Sequence, residues 1–240
     1  MKKLLLGNEA VARGLYEAGC RVASSYPGTP STEITEYAAK YEDIYCEWAP
    51  NEKVAMEVAC GAAIAGARSF CAMKHVGLNV ACDPLFTASY TGVNAGMVIA
   101  VADDPGMHSS QNEQDSRHHA QASKTMMLEP SDSAECLAYT KLAYELSEQF
   151  DTPVILRLST RVSHSRSLSE TAERVDNGVK DYVKDPQKYV MMPAMAKGRH
   201  VVVEERFQAE TAWAETASIN TVEYNDTSIG VIAAGISYQY

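Results

Sequence analysis

An acidic residue begins a helix that is otherwise built largely from small and apolar side chains. Glu52 starts the stretch "EKVAMEVACGAAIAGA", and the residues three, four, seven and eleven positions later are all Ala or Met. A carboxyl group in such a position is a candidate for proton-transfer chemistry. An acid in the first helical turn is also common for a simpler reason, because it interacts favourably with the helix dipole. The spacing alone favours the simpler interpretation.

Three polar stretches each follow a predicted strand and carry side chains suited to binding. The stretch "SSYPGTPSTE" at 24–33 has five hydroxyl side chains before its final Glu, which can line a small pocket, although a Pro-Gly turn explains part of it. The stretch "KHVGLN" at 74–79 places a lysine and a histidine at a strand end. The third, at 103–119, is long and polar, and its Arg117 could hold a carboxylate by a bidentate contact. Ordinary turns and exposed loops remain alternatives for all three.

Composition and charge exclude several classes of partner. The net charge of −10 and the pI of about 5.1 argue against a nucleic-acid or membrane-surface partner, which would need a basic patch. No apolar run is long enough for a membrane span, and the apolar run at 4–6 is too short for a signal peptide.

Cysteine and histidine spacing predicts neither a cluster nor a metal site. The six cysteines form no CxxC pair, so we expect free thiols in a reducing, cytoplasmic compartment. Three histidines, at 108, 118 and 119, lack the HExxH spacing, and no metal ligands are predicted. P-loop, GxGxxG and GxSxG motifs are also absent.

Strand-like and helix-like segments alternate through residues 1–165. Buried strands separated by helices predict an α/β fold with a doubly wound, mostly parallel sheet. Ligands of such sheets bind at the carboxyl ends of the strands, so the three polar stretches should gather at one edge. Residues 166–225 read as a linker with one helix at about 201–215. Residues 226–240 read as the first strand of a truncated second α/β domain.

Several motifs occur in an order and spacing typical of one enzyme family. The chain contains, in this order, "YPGTPSTEI", "EWAPNEKVAMEVACGAA", "MKHVGLNVACDPL", "MHSSQNEQDSRHHA", "LEPSD", "RLSTRVSHSR", "DPQKYVMMPA" and "IGVIAAGISYQY". These stretches resemble the N-terminal part of the indolepyruvate:ferredoxin oxidoreductase alpha subunits, and the resemblance covers essentially the whole chain. It implies that residues 1–165 form a thiamine pyrimidine-binding domain.

The resemblance also implies roles for individual residues. Glu52 matches the glutamate that hydrogen-bonds N1′ of the thiamine aminopyrimidine and so makes its 4′-amino group a base. The implied substrate-binding residues are Thr29, Ser31 and Arg117. The implied cofactor-binding residues, besides Glu52, are Pro27, Thr29, Lys74, His75, Asn79, Gln111, Asn112 and Gln114.

The implied reaction is the oxidative decarboxylation of an arylpyruvate, such as indolepyruvate, to an acyl-coenzyme A with ferredoxin as electron acceptor. The implied cofactors are thiamine diphosphate with Mg²⁺ and [4Fe-4S] clusters. The implied partners are a beta subunit and a second alpha copy. In the family the diphosphate-binding domain and the cluster motif lie beyond residue 240, so we expect this chain alone to be inactive and to bind thiamine diphosphate weakly.

Two alternatives stay open. One is a related oxidoreductase acting on pyruvate, 2-oxoglutarate or an arylglyoxylate. The other is a non-catalytic assembly module of the same fold, against which the presence of Glu52 argues. The small-residue helix after Glu52 is further expected to be a partner surface.

Overall fold

The chain forms eight β-strands, ten α-helices and one 3-10 helix, and a computed structural model describes residues 1–240. The strands are β1 (Lys2–Leu6), β2 (Val22–Ser25), β3 (Tyr45–Trp48), β4 (Ser69–Lys74), β5 (Met97–Asp103), β6 (Met127–Leu128), β7 (Val154–Ser159) and β8 (Arg166–Glu170). The α-helices are α1 (Gly7–Glu17), α2 (Thr32–Ala38), α3 (Glu52–Ile64), α4 (His75–Val80), α5 (Cys82–Thr91), α6 (Arg117–Ser123), α7 (Ser133–Phe150), α8 (Thr160–His164), α9 (Pro186–Tyr189) and α10 (Pro193–Thr216). The 3-10 helix is Gly235–Gln239.

Six parallel strands form the central sheet in the order β3-β2-β4-β5-β7-β6. Strand β5 has all seven residues buried, and its side chains alternate between the two faces of the sheet. Val98, Ala100 and Ala102 pack with helices α1, α2 and α7 on one face. The intervening Met97, Ile99 and Val101 pack with α3, α4 and α5 on the other. The predicted doubly wound α/β fold is confirmed.

The chain leaves two neighbouring strands toward opposite faces of the sheet. After β2 it enters α2, which packs on the same face as α1, whereas after β4 it enters α4 and α5 on the opposite face. Such a divergence opens a crevice at the carboxyl ends of the strands, where ligands of doubly wound sheets bind.

Three local expectations differ from the structure. The first strand, β1, does not join the main sheet but pairs antiparallel with β8 in a separate two-stranded ribbon. The short β6 was not predicted, because two residues carry too little periodicity. The Ala and Met face of α3 is not the expected partner surface, since Ala55, Met56 and Ala59 are fully buried against the sheet. A partner on the exposed face of α3, which carries Gly61, stays a prediction.

The segment after β8 is attached to the sheet domain rather than free. Lys180 N donates to Gly66 O over 2.9 Å, and Val175 N donates to Glu17 O over 2.9 Å. Gly66 has φ +97°, and a Cβ there would lie 1.9 Å from Lys180 O, so only glycine fits. The backbone at Lys180 therefore packs directly against this glycine.

Asp151, which has a left-handed backbone conformation at the end of α7, anchors helices α9 and α10. The carboxylate of Asp151 accepts from Lys188 Nζ at 2.8 Å and lies 3.5 Å from Arg199 Nη2. Its backbone oxygen accepts from Arg206 Nη1 at 3.1 Å. The predicted helix at 201–215 is part of the longer α10, which Asp151 anchors beside α5.

Residues 226–234 contain no strand. Strands need partners to form a sheet, and no strand of this chain lies beside the apolar run at 229–232. The assignment of this segment to a second domain stays a prediction. None of the helices combines the length and the apolarity that crossing a membrane requires.

One ion pair joins the start of β4 to α7. Arg68 binds Glu148 through two bonds of 2.9 and 3.1 Å, and Gly96 N donates to the same carboxylate at 3.0 Å. Burial acts to raise the pKa of Glu148, but the hydrogen bonds from Arg68 and Gly96 outweigh it and lower that pKa to about 2.

We expect Glu148→Gln to lower the free energy of unfolding at pH 7 by about 1–3 kcal/mol, because an ionised, hydrogen-bonded acceptor is lost. The carboxylate contributes fully above the ordinary pKa of 4.5, and its contribution is lost as the pH falls toward about 2. The difference between wild type and variant, measured by urea unfolding, should therefore shrink below pH 4.5. Glu145→Gln on the exposed side of α7 is the control. A difference that is equal at pH 7 and pH 3 would contradict this account.

Candidate functional site

Glu52 lies at the head of α3 with its carboxylate free. The Asn51 side chain caps the helix by accepting from Val54 N at 3.0 Å, which leaves the Glu52 side chain outside the cap. The carboxylate rests against Gly77, where a Cβ would come within 2.6 Å of Glu52 Oε1. It takes part in no hydrogen bond or ion pair of the protein, unlike Lys53 beside it, which binds Asp83 at 2.8 Å.

The loop after β2 uses most of its hydroxyl groups internally. Ser31, 1% exposed, donates to Gly28 O at 2.8 Å, and Thr32 Oγ1 accepts from Gly28 N at 2.8 Å. Ser24 and Ser25 bond to Glu47 and to Thr35, respectively. Of the five predicted pocket hydroxyls only that of Thr29 is free, and it is exposed beside the exposed Pro27.

Residues Lys74 and His75 connect this loop to the polar loop after β5. The predicted loop at 74–79 is mostly the short helix α4. The stem of Lys74 packs on Gly28, and its Nζ donates to Ser109 O at 2.6 Å. His75 is 1% exposed, and its Nε2 lies 2.9 Å from Asn112 O, to which it donates. Its Nδ1 is buried without a partner. The loop therefore covers both side chains.

The amide side chains predicted for the site point outward. Gln111, Asn112 and Asn79 are exposed, and Asn112 Oδ1 accepts from Gln114 Nε2 at 2.8 Å. Their side chains are available to a ligand or to a partner domain at the surface of the site.

The residue that anchors the loop was not predicted. Asp104, 1% exposed, accepts from Ser109 N at 2.7 Å, Ser110 Oγ at 2.8 Å and Thr160 Oγ1 at 2.8 Å. Burial acts to raise the pKa of Asp104, but the three hydrogen bonds outweigh it and lower the pKa to about 2. The signal in the sequence was the pair of acids, Asp103 and Asp104, that directly follows the apolar run "MVIAVA".

A network of charges lies on the other side of the loop. Arg117 Nε and Nη2 bind the two oxygens of Glu129 at 2.5 and 2.8 Å, and Arg117 Nη1 binds Asp115 at 3.1 Å. Beneath it, Arg157 Nε binds the buried Asp103 at 2.8 Å, and its Nη1 binds Glu129 at 3.0 Å. The hydrogen bond with Glu129 raises the pKa of Arg117, and burial opposes this only in part. An arginine inside the apolar strand "VILRLS" was the signal for a buried partner.

The structure thus brings together Glu52, Gly28, Thr29, Lys74 and His75 around the crevice, with the 104–116 loop over them. Arg117 is engaged by two carboxylates, and Ser31 is committed to its turn. The arrangement offers one unpaired carboxylate and one free hydroxyl, flanked by a lysine held by a backbone carbonyl. It suits a ligand with a nitrogen donor and a polar or anionic group.

We expect Asp104→Asn to loosen the loop without unfolding the sheet, since an ionised acceptor of three hydrogen bonds is lost. Amide hydrogens at 105–112 should exchange about tenfold faster or more, because bonds to a charged group contribute about 1.5–3 kcal/mol. Hydrogen exchange detected by mass spectrometry measures this, with β4 and β5 as internal reference. Thr160→Val should loosen the loop less, and Thr160→Ser, which keeps the donor, should not. Equal acceleration in β5 would mean a global effect instead.

Comparison with known proteins identifies the family. Residues 13–229 match the family described as pyruvate flavodoxin/ferredoxin oxidoreductase, thiamine diphosphate-binding. The indolepyruvate oxidoreductase subunit IorA of Methanothermobacter marburgensis is 48% identical over 242 residues, which is 98% of this chain and 39% of that protein. The IorA subunit of Archaeoglobus fulgidus is 43% identical over 100% of this chain and 40% of that protein.

More distant relatives are named for 2-oxoglutarate. The 2-oxoglutarate synthase subunit KorA of Methanothermobacter thermautotrophicus is 29% identical over 70% of this chain and 47% of that protein. The 2-oxoglutarate:ferredoxin oxidoreductase from Magnetococcus marinus, solved with 2-oxoglutarate, coenzyme A and succinyl-coenzyme A bound, superimposes with a TM-score of 0.72 at 18% identity. That likeness covers 88% of this chain and 45% of that one, and it supports the fold.

The chain spans about two fifths of the length of its IorA relatives. Their identity across the whole chain confirms the resemblance to the N-terminal part of indolepyruvate:ferredoxin oxidoreductase alpha subunits. With its sheet, its crevice and its matched residues, the chain belongs to the thiamine diphosphate-binding family of the pyruvate flavodoxin/ferredoxin oxidoreductases.

Proposed function

We propose that this chain supplies the pyrimidine half of a thiamine diphosphate site in an enzyme that oxidatively decarboxylates arylpyruvates such as indolepyruvate. The observation that carries the proposal is the Glu52 carboxylate. It stands at the crevice of a doubly wound sheet, free of partners, in a chain of the thiamine diphosphate-binding family. An acid that only stabilised its helix would not need the glycine that faces it.

The residues present fit the pyrimidine end of the cofactor. Glu52 offers a hydrogen bond to a ring nitrogen, and the missing side chain at Gly77 leaves room at its carboxylate. Bound thiamine diphosphate supplies a carbon nucleophile that adds to a 2-oxo acid and stabilises the charge left as carbon dioxide departs. Around Glu52, the residues that would contact the cofactor are Pro27, Thr29, Lys74, His75, Asn79, Gln111, Asn112 and Gln114.

Glu52 would hydrogen-bond the aminopyrimidine at the interface between chain and cofactor. A carboxyl group shielded by small neighbours makes a stronger hydrogen bond than one in water, because the local dielectric is low. The packing of α3 on the sheet fixes the position of that group, so its orientation is set before the ligand arrives.

Thr29 and Arg117 are our candidates for the substrate. The hydroxyl of Thr29 is free and exposed at the loop tip, and the Arg117 guanidinium has the fork geometry that binds carboxylates. Ser31 acts through the turn that presents Thr29, since its hydroxyl is bonded to Gly28 O.

The remaining parts of the enzyme are proposed from the resemblance to the family. They comprise Mg²⁺ with the diphosphate-binding domain, [4Fe-4S] clusters, a beta subunit and a second alpha copy, with coenzyme A and ferredoxin as co-substrates. The carboxyl edge exposes large apolar side chains that a covering domain would bury, among them Tyr26, Trp48, Val80, Phe86 and Met107. We further propose a cytoplasmic location, which fits six free thiols.

We expect Glu52→Gln in the full-length protein to lower decarboxylation by about 100-fold or more, because the group that holds the proton is lost. Steady-state assays of arylpyruvate consumption measure this. The control is Glu57→Gln on the same helix, which is exposed and 3.9 Å from Lys53. Activity of the Glu52 variant within about threefold of wild type would overturn the assigned role and favour a non-catalytic module.

We expect the full-length enzyme to prefer indolepyruvate over pyruvate and 2-oxoglutarate by about tenfold or more in kcat/KM. The reason is that an aromatic ring gains free energy when it is buried in a pocket of matching shape. The relatives at 43–48% identity are named for indolepyruvate, and the 2-oxoglutarate relative is at 29%. Competition assays with paired substrates, arylglyoxylate included, measure the ratio. A preference for 2-oxoglutarate would favour the alternative.

A further inference from the structure

Glu129 occupies the face of Arg117 that a substrate carboxylate would use. Its two oxygens lie 2.5 and 2.8 Å from Arg117 Nε and Nη2, which is the fork geometry of a bidentate ion pair. The side chain of Glu129 is 13% exposed, whereas that of Arg117 is 46% exposed. A ligand from solvent would therefore reach Arg117 before it reaches Glu129.

Glu129 has a second cation that stays in place. Arg157 Nη1 binds Glu129 Oε2 at 3.0 Å, and Arg157 is only 12% exposed. Its Nε is fixed by Asp103, which is fully buried at the end of β5. When the Arg117 contact opens, the Glu129 carboxylate keeps a charged partner, so release does not leave a buried ion unpaired.

Arg117 is also held from another side. Its Nη1 binds Asp115 at 3.1 Å, a contact that does not use the Nε–Nη2 face. The guanidinium thus remains oriented when Glu129 leaves it. One face of Arg117 can therefore change its partner while Asp115 still holds the guanidinium and Arg157 still holds Glu129.

We propose that Glu129 sets the apparent affinity for the substrate by competing with the substrate carboxylate for Arg117. This rests on the proposed function, in which Arg117 binds the 2-oxo acid. The incoming carboxylate takes the Nε–Nη2 face, and Glu129 shifts its interaction to Arg157. A neutral 2-oxo compound does not compete for the Nε–Nη2 face, so its binding does not depend on Glu129. The competition raises the apparent KM, because only the fraction with an open Arg117 binds substrate.

The test uses the full-length enzyme in its complete assembly. Glu129→Gln keeps the shape of the side chain and removes its charge. We expect KM for indolepyruvate to fall about threefold, as for the loss of one exposed ion pair, with kcat within about twofold of wild type. The inhibition constant of a carboxylate analogue should fall in parallel. That of its carboxamide should stay unchanged, whereas a loosened loop would change both.

Matched variants distinguish the loss of a nearby negative charge from the loss of the contact with Arg117. Glu113→Gln removes the same charge from the neighbouring 104–116 loop, where Glu113 binds Gly106 N and does not touch Arg117, so its KM should stay within about twofold. Glu129→Asp keeps a charge for Arg157 but shortens the reach to Arg117. It should also lower KM, and it serves if the Gln variant does not fold.

Arg117→Met distinguishes failure of the inference from failure of the proposed function. If that variant raises KM at least tenfold while Glu129→Gln and Glu129→Asp do not lower it, the competition is wrong and Arg117 remains a substrate residue. If Arg117→Met leaves KM unchanged, the proposed role of Arg117 is wrong, and the competition falls with it. A drop in the carboxamide inhibition constant equal to that of the acid would also overturn the competition.

Discussion

The divergence of the chain from two adjacent parallel strands is the constraint on which the rest of the site depends. Strand β2 leads into α2 on one face of the sheet and β4 leads into α4 on the other, so the ends of these strands have no helix between them. The crevice that results is bordered by Gly28 on one side and by Lys74 on the other, and a Cβ at Gly28 would lie 3.2 Å from Lys74 Cδ. Helix α3 brings Glu52 to the same place.

Most polar groups around this crevice bind each other. Lys74 and His75 donate to backbone carbonyls of the polar loop, and Asp104 accepts three bonds from the loop and α8. Buried polar groups need such partners, since an unsatisfied one costs about 1–3 kcal/mol. The buried exception is His75 Nδ1, which has no partner. Nearer the surface, Glu52 keeps a free carboxylate at the crevice and Thr29 keeps a free, exposed hydroxyl at its rim.

Charge balance explains how two arginines are kept at the carboxyl edge of a strongly acidic chain. Asp103 and Glu129 neutralise Arg157, and Glu129 and Asp115 neutralise Arg117. The shared member, Glu129, couples the buried arginine to the exposed one. At the opposite edge of the sheet, Asp151 has a structural role, because it binds residues of α9 and α10, the helices of the 166–225 segment, to the domain.

The amino-acid sequence by itself determined the alternation of strands and helices, the parallel sheet and the candidate role of Glu52. The alternation and the sheet follow from local patterns, such as the mostly apolar residues of β5. The role of Glu52 followed from the family resemblance of the motifs, because its spacing alone favoured an acid that interacts with the helix dipole. The sequence also identified the loops that surround the site, because polar stretches that follow buried strands commonly carry binding residues. It did not reveal β8, whose partner β1 lies over 160 residues away.

Only the tertiary structure decided which polar side chains are free and which are already bound within the chain by hydrogen bonds or ion pairs. Ser31 and Thr29 look alike in the sequence, yet one hydroxyl is buried in its turn and the other is exposed. Glu129 lies twelve residues from Arg117 and 28 from Arg157, and its position between them follows from the pairing of β6 with β7. The physical reason is the same in each case: hydrogen bonds and ion pairs are short-range, and the chain brings their partners together only when the sheet has formed.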